Sequence, residues 1–407
     1  MSIPADRSPR WEEGGASTRV RSSTPSHDGG TTTEALTDDL LVEIISGVPS
    51  SQRWRCKCVC KRWLRLARTL PQSLAGFFCT TTSEERSPRT ALHFFNSSGS
   101  PVRPLIYPSF AFLPSHRQID LLDCCNGLLL CRWYGVSAPV DDEFRYVVCN
   151  PVTEQWVALP DGPSHSRLVD NLGTARLGFD PAVSSHFHVF MLLVGTCRYR
   201  NKPITGVDVY SSETGRWVHK EKGCDEDVFL IVRLTGPELA TVYLNGYLHF
   251  HTVDAWWNPC LTAVDTEGET WMNFEAPVNQ YPGFNFIQHS QGRLHYASFA
   301  DDGKVIELVV YVMEDYGSKQ WVLKHRVGVS YLFRGMLVYG LDRDFDWVAI
   351  HPECNVIFFA AGADKTLVWY NMDSRQSNQI RLLGVGDAKS PYLPYALLYS
   401  ELQSLHL

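Results

Sequence analysis

Two hydrophobic periodicities divide this chain. Leu40, Leu41, Ile44, Ile45 and Val48 fall at i, i+1, i+4, i+5 and i+8, one broad face of a helix. Thr37 stands where an N-cap belongs, Asp38 and Asp39 occupy the first turn where the helix dipole favours them, and Gly47 and Pro49 end the pattern. A second helical pattern runs through Trp54, Cys56, Val59, Trp63 and Leu66, and Thr69 to Pro71 closes the module. So short a segment buries no sufficient core of its own, and its apolar faces predict a partner.

From Phe77 onward the spacing is that of strands. A unit recurs in which a strand, a polar turn and a Trp opening the return strand follow one another. It runs from Tyr146 to Trp156, Val209 to Trp217, Val264 to Trp271 and Tyr311 to Trp321, with a copy after Leu367 that lacks the Trp. Between these lies a second hairpin type, built on Asn126-Gly127, Asn245-Gly246 and Gln291-Gly292, with looser versions at Gly178–His188 and Ile350–Phe358. Asn-Gly and its relatives supply the positive φ angles of tight hairpins. The four tryptophans lie 61, 54 and 50 residues apart. Two hairpins per unit and a period near fifty residues predict a kelch-like β-propeller. Five units span about 118 to 380, and Phe77–Thr81, Ala91–Asn96 and Tyr395–Glu401 are expected to close the ring with strands from both ends of this domain. Six blades fit best, with five and seven left open.

Composition narrows the class. Residues 1–34 are rich in Ser, Thr, Gly, Pro and Arg with few aliphatic residues, and read as a disordered tail. The whole chain, with 44% hydrophobic and 20% charged residues, has the composition expected of a soluble globular protein. A net charge of −7 argues against nucleic acid as the partner of the whole chain. No apolar run is long enough for a membrane span, and the first residues lack the apolar core of a signal peptide, so the expected residence is the cytoplasm, the nucleus or both. The twelve cysteines are scattered, and Cys56-x-Cys58-x-Cys60 lacks structural-zinc spacing, so reduced, half-buried thiols are expected.

The phrases Leu36-Thr-Asp-Asp-Leu-Leu-Val-Glu-Ile-Ile-Ser-Gly-Val-Pro49 and Arg55-Cys-Lys-Cys-Val-Cys-Lys-Arg-Trp63 closely resemble the F-box. The phrases around Cys124 to Leu130 and Cys149 to Pro160 look like the F-box-associated propeller domains of plants. The resemblance implies a small helical F-box domain at 35–72 and a β-propeller domain at 73–407. It implies binding to a Skp-family adaptor within an SCF (cullin-RING) ubiquitin ligase while the propeller presents a target protein. Carried over by position, Leu36, Leu40, Leu41, Ile44, Pro49, Trp54, Val59 and Trp63 make or support the adaptor contact. The chain departs from the family in carrying Arg53-Trp54 where an apolar pair is usual. Such a subunit is not an enzyme and needs no cofactor, because the catalytic thiolate belongs to the ubiquitin-conjugating enzyme. It acts by proximity, raising the effective concentration of a target lysine.

Other signals point elsewhere and are weaker. Seven basic residues between Arg53 and Arg68 suggest a nucleic-acid helix, but apolar positions interrupt them at helical spacing, as on a solvated helix face. His186/His188 and His249/His251 place imidazole pairs on strand faces, at repeated positions that fit packing better than metal binding. Ser211–Trp217 and Asp265–Trp271 resemble the Asp-box turns of sialidases, which are structural, and no paired carboxylates for glycoside cleavage accompany them. The alternatives are a non-ligase propeller scaffold or ligand-binding protein with a vestigial F-box, favoured by Arg53, and a propeller acting on sugars. Target specificity is expected in the long connections at 160–174, 196–206, 221–240 and 273–285.

Overall fold

The computed structural model describes residues 36–48, 55–56, 59–69, 74–82, 90–96, 110–136, 144–162, 175–195, 201–222, 228–231, 241–278, 285–301, 303–333, 336, 345–362, 365–380 and 388–405. Two helices come first, α1 (Asp38–Gly47) and α2 (Lys61–Thr69). Strands β1 (Leu74–Thr82) and β2 (Thr90–Asn96) follow as an antiparallel pair. Then come four-stranded antiparallel meanders. The first is β3 (His116–Cys125), β4 (Leu128–Gly135), β5 (Arg145–Asn150) and β6 (Gln155–Ala158). The second is β7 (Ala175–Gly178), β8 (His188–Val194), β9 (Asn201–Ser211) and β10 (Arg216–Glu221).

A short strand, β11 (Phe229–Ile231), pairs with β9 on one side and joins the second meander to the third. The third is β12 (Thr241–Leu244), β13 (Tyr247–Val253), β14 (Pro259–Asp265) and β15 (Trp271–Glu275). The fourth is β16 (Phe286–Ser290), β17 (Arg293–Asp301), β18 (Ile306–Asp315) and β19 (Gln320–Gly328), followed by the short α3 (Val329–Leu332). The fifth is β20 (Phe345–Ile350), β21 (Val356–Ala361), β22 (Thr366–Asn371) and β23 (Gln376–Ile380). Last comes β24 (Ala388–Ala396), which pairs with β1 so that β2-β1-β24 form one sheet.

Among the described residues these strands make six sheet units, and an apolar cluster lies between each unit and the next. Leu128, Leu130 and Val148 of the first meander meet Leu177, Val189 and Met191 of the second. Phe190, Leu192 and Val209 meet Leu248, Phe250 and Val264. The third and fourth meanders share a cluster around Leu261, Phe274, Tyr296 and Val309, and the fourth and fifth one around Phe299, Leu308, Phe345 and Phe359. Val348, Phe358 and Ala360 then pack on Phe77 and Tyr392, and Phe78 and Tyr395 pack on Leu129, Cys131 and Cys149, which returns to the first meander. The ring is a β-propeller, and the expectation of a small helical segment before a large all-β domain agrees with it.

The ring explains the sequence pattern. A central strand is covered on both faces, so Leu128 and Leu130 point to one neighbour while Leu129 and Cys131 point to the other, and β4 reads as a continuous apolar run. Outermost strands have a solvent edge, and β10 is exposed or half-buried throughout. The repeated tryptophans open these outer strands, and two of them tie adjacent units. Trp217 Nε1 donates to Pro160 O at 2.8 Å, and Trp321 Nε1 donates to Glu275 O at 2.9 Å. The expected tight turns carry the expected dihedrals: Asn126 and Gly127 at φ 46° and 87°, Asn245 and Gly246 at 53° and 82°, Gln291 and Gly292 at 51° and 73°.

Several boundaries differ from the sequence reading, among them the end of β15 at Glu275, inside the expected 273–285 connection. The closing strand is Ala388–Ala396, not Tyr395–Glu401. It contains Pro391 and Pro394, whose missing N–H groups are tolerated because β24 pairs on one side only and its ladder with β1 is irregular between Phe78 and Thr80. Residues 397–405 instead lie against the first meander, where Asn150 Nδ2 donates to Leu398 O (2.9 Å) and Leu402 N donates to Gln155 Oε1 (3.1 Å). The second helical pattern begins later than expected, with Arg55–Cys56 in a 3-10 turn and α2 starting at Lys61. Cys60 Sγ accepts the Trp63 N–H at 3.5 Å, in the manner of an N-cap. Within the connections at 196–206 and 221–240, residues 201–206 belong to β9 and 229–231 form β11.

The innermost strands are latched across units by side chains three positions before the tight turn. Asp123 Oδ2 accepts the Leu177 N–H at 2.8 Å, and Gln288 Oε1 accepts the Ile350 N–H at 2.5 Å. Burial pushes the Asp123 carboxyl up from 3.8 to about 6, while Arg176 and the N–H groups of Leu177 and Cys124 pull the other way. The folded state therefore holds this proton more tightly than the unfolded chain does. The associated stability is fully present below about pH 4 and is lost as pH rises through about 6. The stability difference between wild type and Asp123→Asn, from urea midpoints at a series of pH values, is expected to change across that window and to be flat above it. A difference constant from pH 4 to 7 would show that Asp123 titrates normally.

Candidate functional site

The helical segment builds its own small core before it presents anything outward. Thr37 caps α1, its hydroxyl accepting the Leu40 N–H at 3.4 Å. Leu41 and Ile45, fully buried, meet Cys56 and Leu66, with Leu36, Val42, Val48 and Trp63 packed against them. A polar lock joins the two helices. Asp38 accepts from Arg62 at 2.7 Å and from Arg65 at 3.0 Å, and Arg62 Nη2 also donates to Leu36 O at 2.6 Å. The hydrogen bond from Arg62 leads the causes that hold the Asp38 carboxyl below its usual range. Two members of the basic run thus join α2 to α1 through Asp38, and Arg65, like Lys61 and Arg55, is exposed.

The helix face that looked continuous in sequence is split by this packing. Leu41 and Ile45 turn inward, while Leu40 and Ile44, four residues apart on α1, are each 48% exposed. Val59, in the turn before α2, is 57% exposed. Of the eight residues expected at the contact, Leu40, Ile44 and Val59 present apolar surface to solvent, and Leu41 is internal and supports α1 from behind. Leu36 and Trp63 are half-buried against the module's core. The Trp63 indole N–H is buried without a hydrogen-bond partner among the described residues. Pro49 and Trp54, like Arg53, lie outside the described residues. The Asp38 lock went unread in the sequence because its members are 24 and 27 residues apart, beyond any local spacing rule.

The propeller has two unlike ends. At one end lie the turns between first and second strands, tight at Asn126-Gly127, Asn245-Gly246 and Gln291-Gly292 and looser at 179–187 and 351–355, together with the short turns between third and fourth strands, as at residues 151–154. The connections at 160–174, 222–228, 232–240 and 276–285 leave from the opposite end, as do those between second and third strands. The turns that resemble Asp-boxes act structurally: Asp265 accepts the N–H groups of Glu269 (2.8 Å) and Thr270 (3.0 Å), and Ser211 Oγ accepts that of Glu213 (3.3 Å). His249 is likewise committed, with Nδ1 3.0 Å from Val242 O and Nε2 2.6 Å from Tyr316 Oη in the next unit. Burial lowers it to about 4 and keeps the ring neutral. Among the described residues no group of three or more His, Cys, Asp or Glu is placed to hold a metal ion, and no helix is long and apolar enough to cross a membrane.

Comparison with known proteins agrees with both parts of this description. Residues 34–72 match the F-box domain, and residues 91–389 match the β-propeller of the F-box protein At3g26010-like family. The F-box protein At5g07610 of Arabidopsis thaliana is 26% identical over 348 residues, covering 76% of each chain. The F-box/kelch-repeat protein At3g61590 of the same plant is 25% identical over 197 residues, 45% of this chain and 44% of its own. Among solved structures, a chain of a nidogen/laminin complex aligns over 79% of this chain and 98% of its own, with 8% identity and a TM-score of 0.39.

Proposed function

The chain belongs to the plant-type F-box proteins with an At3g26010-like β-propeller, and from that premise we propose that it is the substrate-recognition subunit of an SCF ubiquitin ligase. The F-box binds a Skp-family adaptor, the propeller holds the target protein, and the chain itself carries out no chemistry. One observation supports this most directly: α1 has satisfied its own core through Leu41 and Ile45, yet keeps Leu40 and Ile44 in an exposed row. A helix with no partner gains nothing from that row, whereas a partner that covers it gains about 25 cal/mol for each Å² of apolar surface removed from water. The adaptor side uses this row together with Val59, and Pro49, Trp54 and Trp63 belong to the same proposed contact.

The test is co-purification of the full chain with a Skp-family adaptor, beside a chain starting at Leu74. Retention that requires residues 35–72 supports the reading. Equal retention of both chains, or of neither, overturns it and leaves the scaffold alternative, in which the F-box is vestigial. The proposed residence is the cytoplasm, the nucleus or both.

A further inference from the structure

One lysine of the fourth meander has an imidazole where other lysines have a carboxylate. Lys324 lies on the outer strand β19, and the pairing with β18 skips it: Val310 pairs with His325 and Tyr311 with Leu323. A bulge of this kind re-aims a side chain. Val322, Leu323 and Arg326 are exposed, whereas Lys324 is half-buried and reaches across β18 to β17. There its Nζ donates to His295 Nε2 at 2.9 Å, and among the described residues His295 is its one hydrogen-bond partner. Lys220 and Lys365, by contrast, are held by the carboxylates of Glu269 and Asp346.

The imidazole is fixed in a form that suits an amine. His295 is fully buried, and its Nδ1 lies 3.2 Å from Arg293 O. A carbonyl oxygen only accepts, so the ring proton sits on Nδ1 and Nε2 turns its lone pair to Lys324. Burial, and after it the charge of Lys324, lower His295 to about 4 and keep the ring neutral. The surroundings act on the amine too. Desolvation lowers Lys324 below the usual lysine range, Asp373 in the turn after β22 pulls the other way, and Arg293 adds to the lowering. Arg293 itself is only loosely engaged by Glu314 of β18, at 3.7 Å.

An amine that is partly desolvated, set beside a cation and oriented by a neighbouring acceptor has the features of a nucleophilic lysine. We propose that Lys324 is an acylation site, its amine taking the acyl group of a small acyl thioester. Thioesters suit such a site because they resist water at neutral pH and yield to a neutral amine. The amine lone pair forms a bond to the thioester carbonyl carbon, and the C–S bond breaks. The departing thiolate takes up the proton that the nitrogen sheds. His295 acts as a positioning residue: it accepts one N–H, and the product amide keeps one N–H to give it. What the acylated chain loses is the positive charge beside Arg293 and Asp373. No residue of the helical module takes part, so the site stands apart from the ligase reading.

The test incubates the full chain with acetyl coenzyme A at a series of pH values and follows each lysine by peptide mass spectrometry. Lys324 is expected to react about tenfold faster than Lys220 near neutral pH, since each pH unit off an amine's midpoint gives about tenfold more neutral amine. In the urea-unfolded chain the two are expected to react alike. Arg293→Gln and Asp373→Asn replace exposed side chains, and melting temperatures check that both variants fold. They are expected to move the pH midpoint of Lys324 acetylation in opposite directions, Arg293→Gln upward and Asp373→Asn downward, each by roughly half a pH unit. A merely structural lysine–histidine contact would show no such response. Equal rates at Lys324 and Lys220 in the folded chain would overturn the proposal. A preference for Lys324 that survives unfolding, or a midpoint that neither substitution moves, would overturn it as well.

Discussion

Leu40→Asp and Ile44→Asp are each expected to abolish co-purification with a Skp-family adaptor while leaving the protein folded. Both side chains are 48% exposed, so a carboxylate at either position stays hydrated in the free protein and the cost appears only on binding. An apolar anchor at the centre of an interface is commonly worth about 2 kcal/mol or more, roughly a thirtyfold loss, and burying an unpaired carboxylate adds to it. Leu41→Asp separates binding from folding. Leu41 is fully buried beside Ile45, Cys56 and Leu66, so its replacement by Asp should melt the helical segment itself. The informative measurement is therefore paired: adaptor retention on a column, and the helical circular dichroism of the segment. Retention of adaptor by both outward-facing variants would sink the proposed contact.

Gly127→Ala is expected to be the most damaging of the three equivalent turn-glycine substitutions, by a wide margin. All three glycines close the tight hairpin between the first and second strands of their units at positive φ, +87°, +82° and +73° for Gly127, Gly246 and Gly292. A side chain at any of them costs about 1 kcal/mol in backbone strain. At Gly246 and Gly292 a Cβ would meet open space, so the strain is all that is paid. At Gly127 it would overlap Leu398 Cβ and lie 2.8 Å from Ala396 O, both on the chain leaving β24. Leu398, Leu402 and Leu405 are buried among Leu128, Phe179 and Phe187. Displacing that segment exposes side chains whose burial is worth about 1.5–3 kcal/mol each. Gly127→Ala should cost about 3 kcal/mol or more, against about 1 kcal/mol for the other two, by chemical denaturation. Three equal losses would show that the segment after β24 adds little stability.

The parts of this protein legible in its sequence are those governed by local rules. Asn126-Gly127 and Asn245-Gly246 announce tight hairpins because few other pairs adopt their dihedrals. Thr37, Asp38 and Asp39 announce a helix start because capping is settled within four residues. The tryptophans opening outer strands revealed the repeat, although their bonds to Pro160 and Glu275 in preceding units did not show in the pattern. β11 was hidden: within the apolar run Val228–Val232 of a connection, Phe229–Ile231 form a strand because edges of β9 and β13 stand ready on either side.

Sequence by itself determined the division of the chain into a helical module and a repeated β domain, the turn chemistry, and the family resemblance, all carried by short-range spacing. Tertiary structure decided the rest. It chose which half of the α1 apolar face is core and which is surface, because adjacent positions on a helix are told apart only by what packs against them. It closed the ring by bringing Ala388–Ala396 to Leu74–Thr82 across more than three hundred residues of chain, a pairing fixed by the packing of intervening units. It also sorted the connections to the two ends of the propeller, since the order of strands within each unit, and not the composition of a loop, sets the end from which that loop leaves.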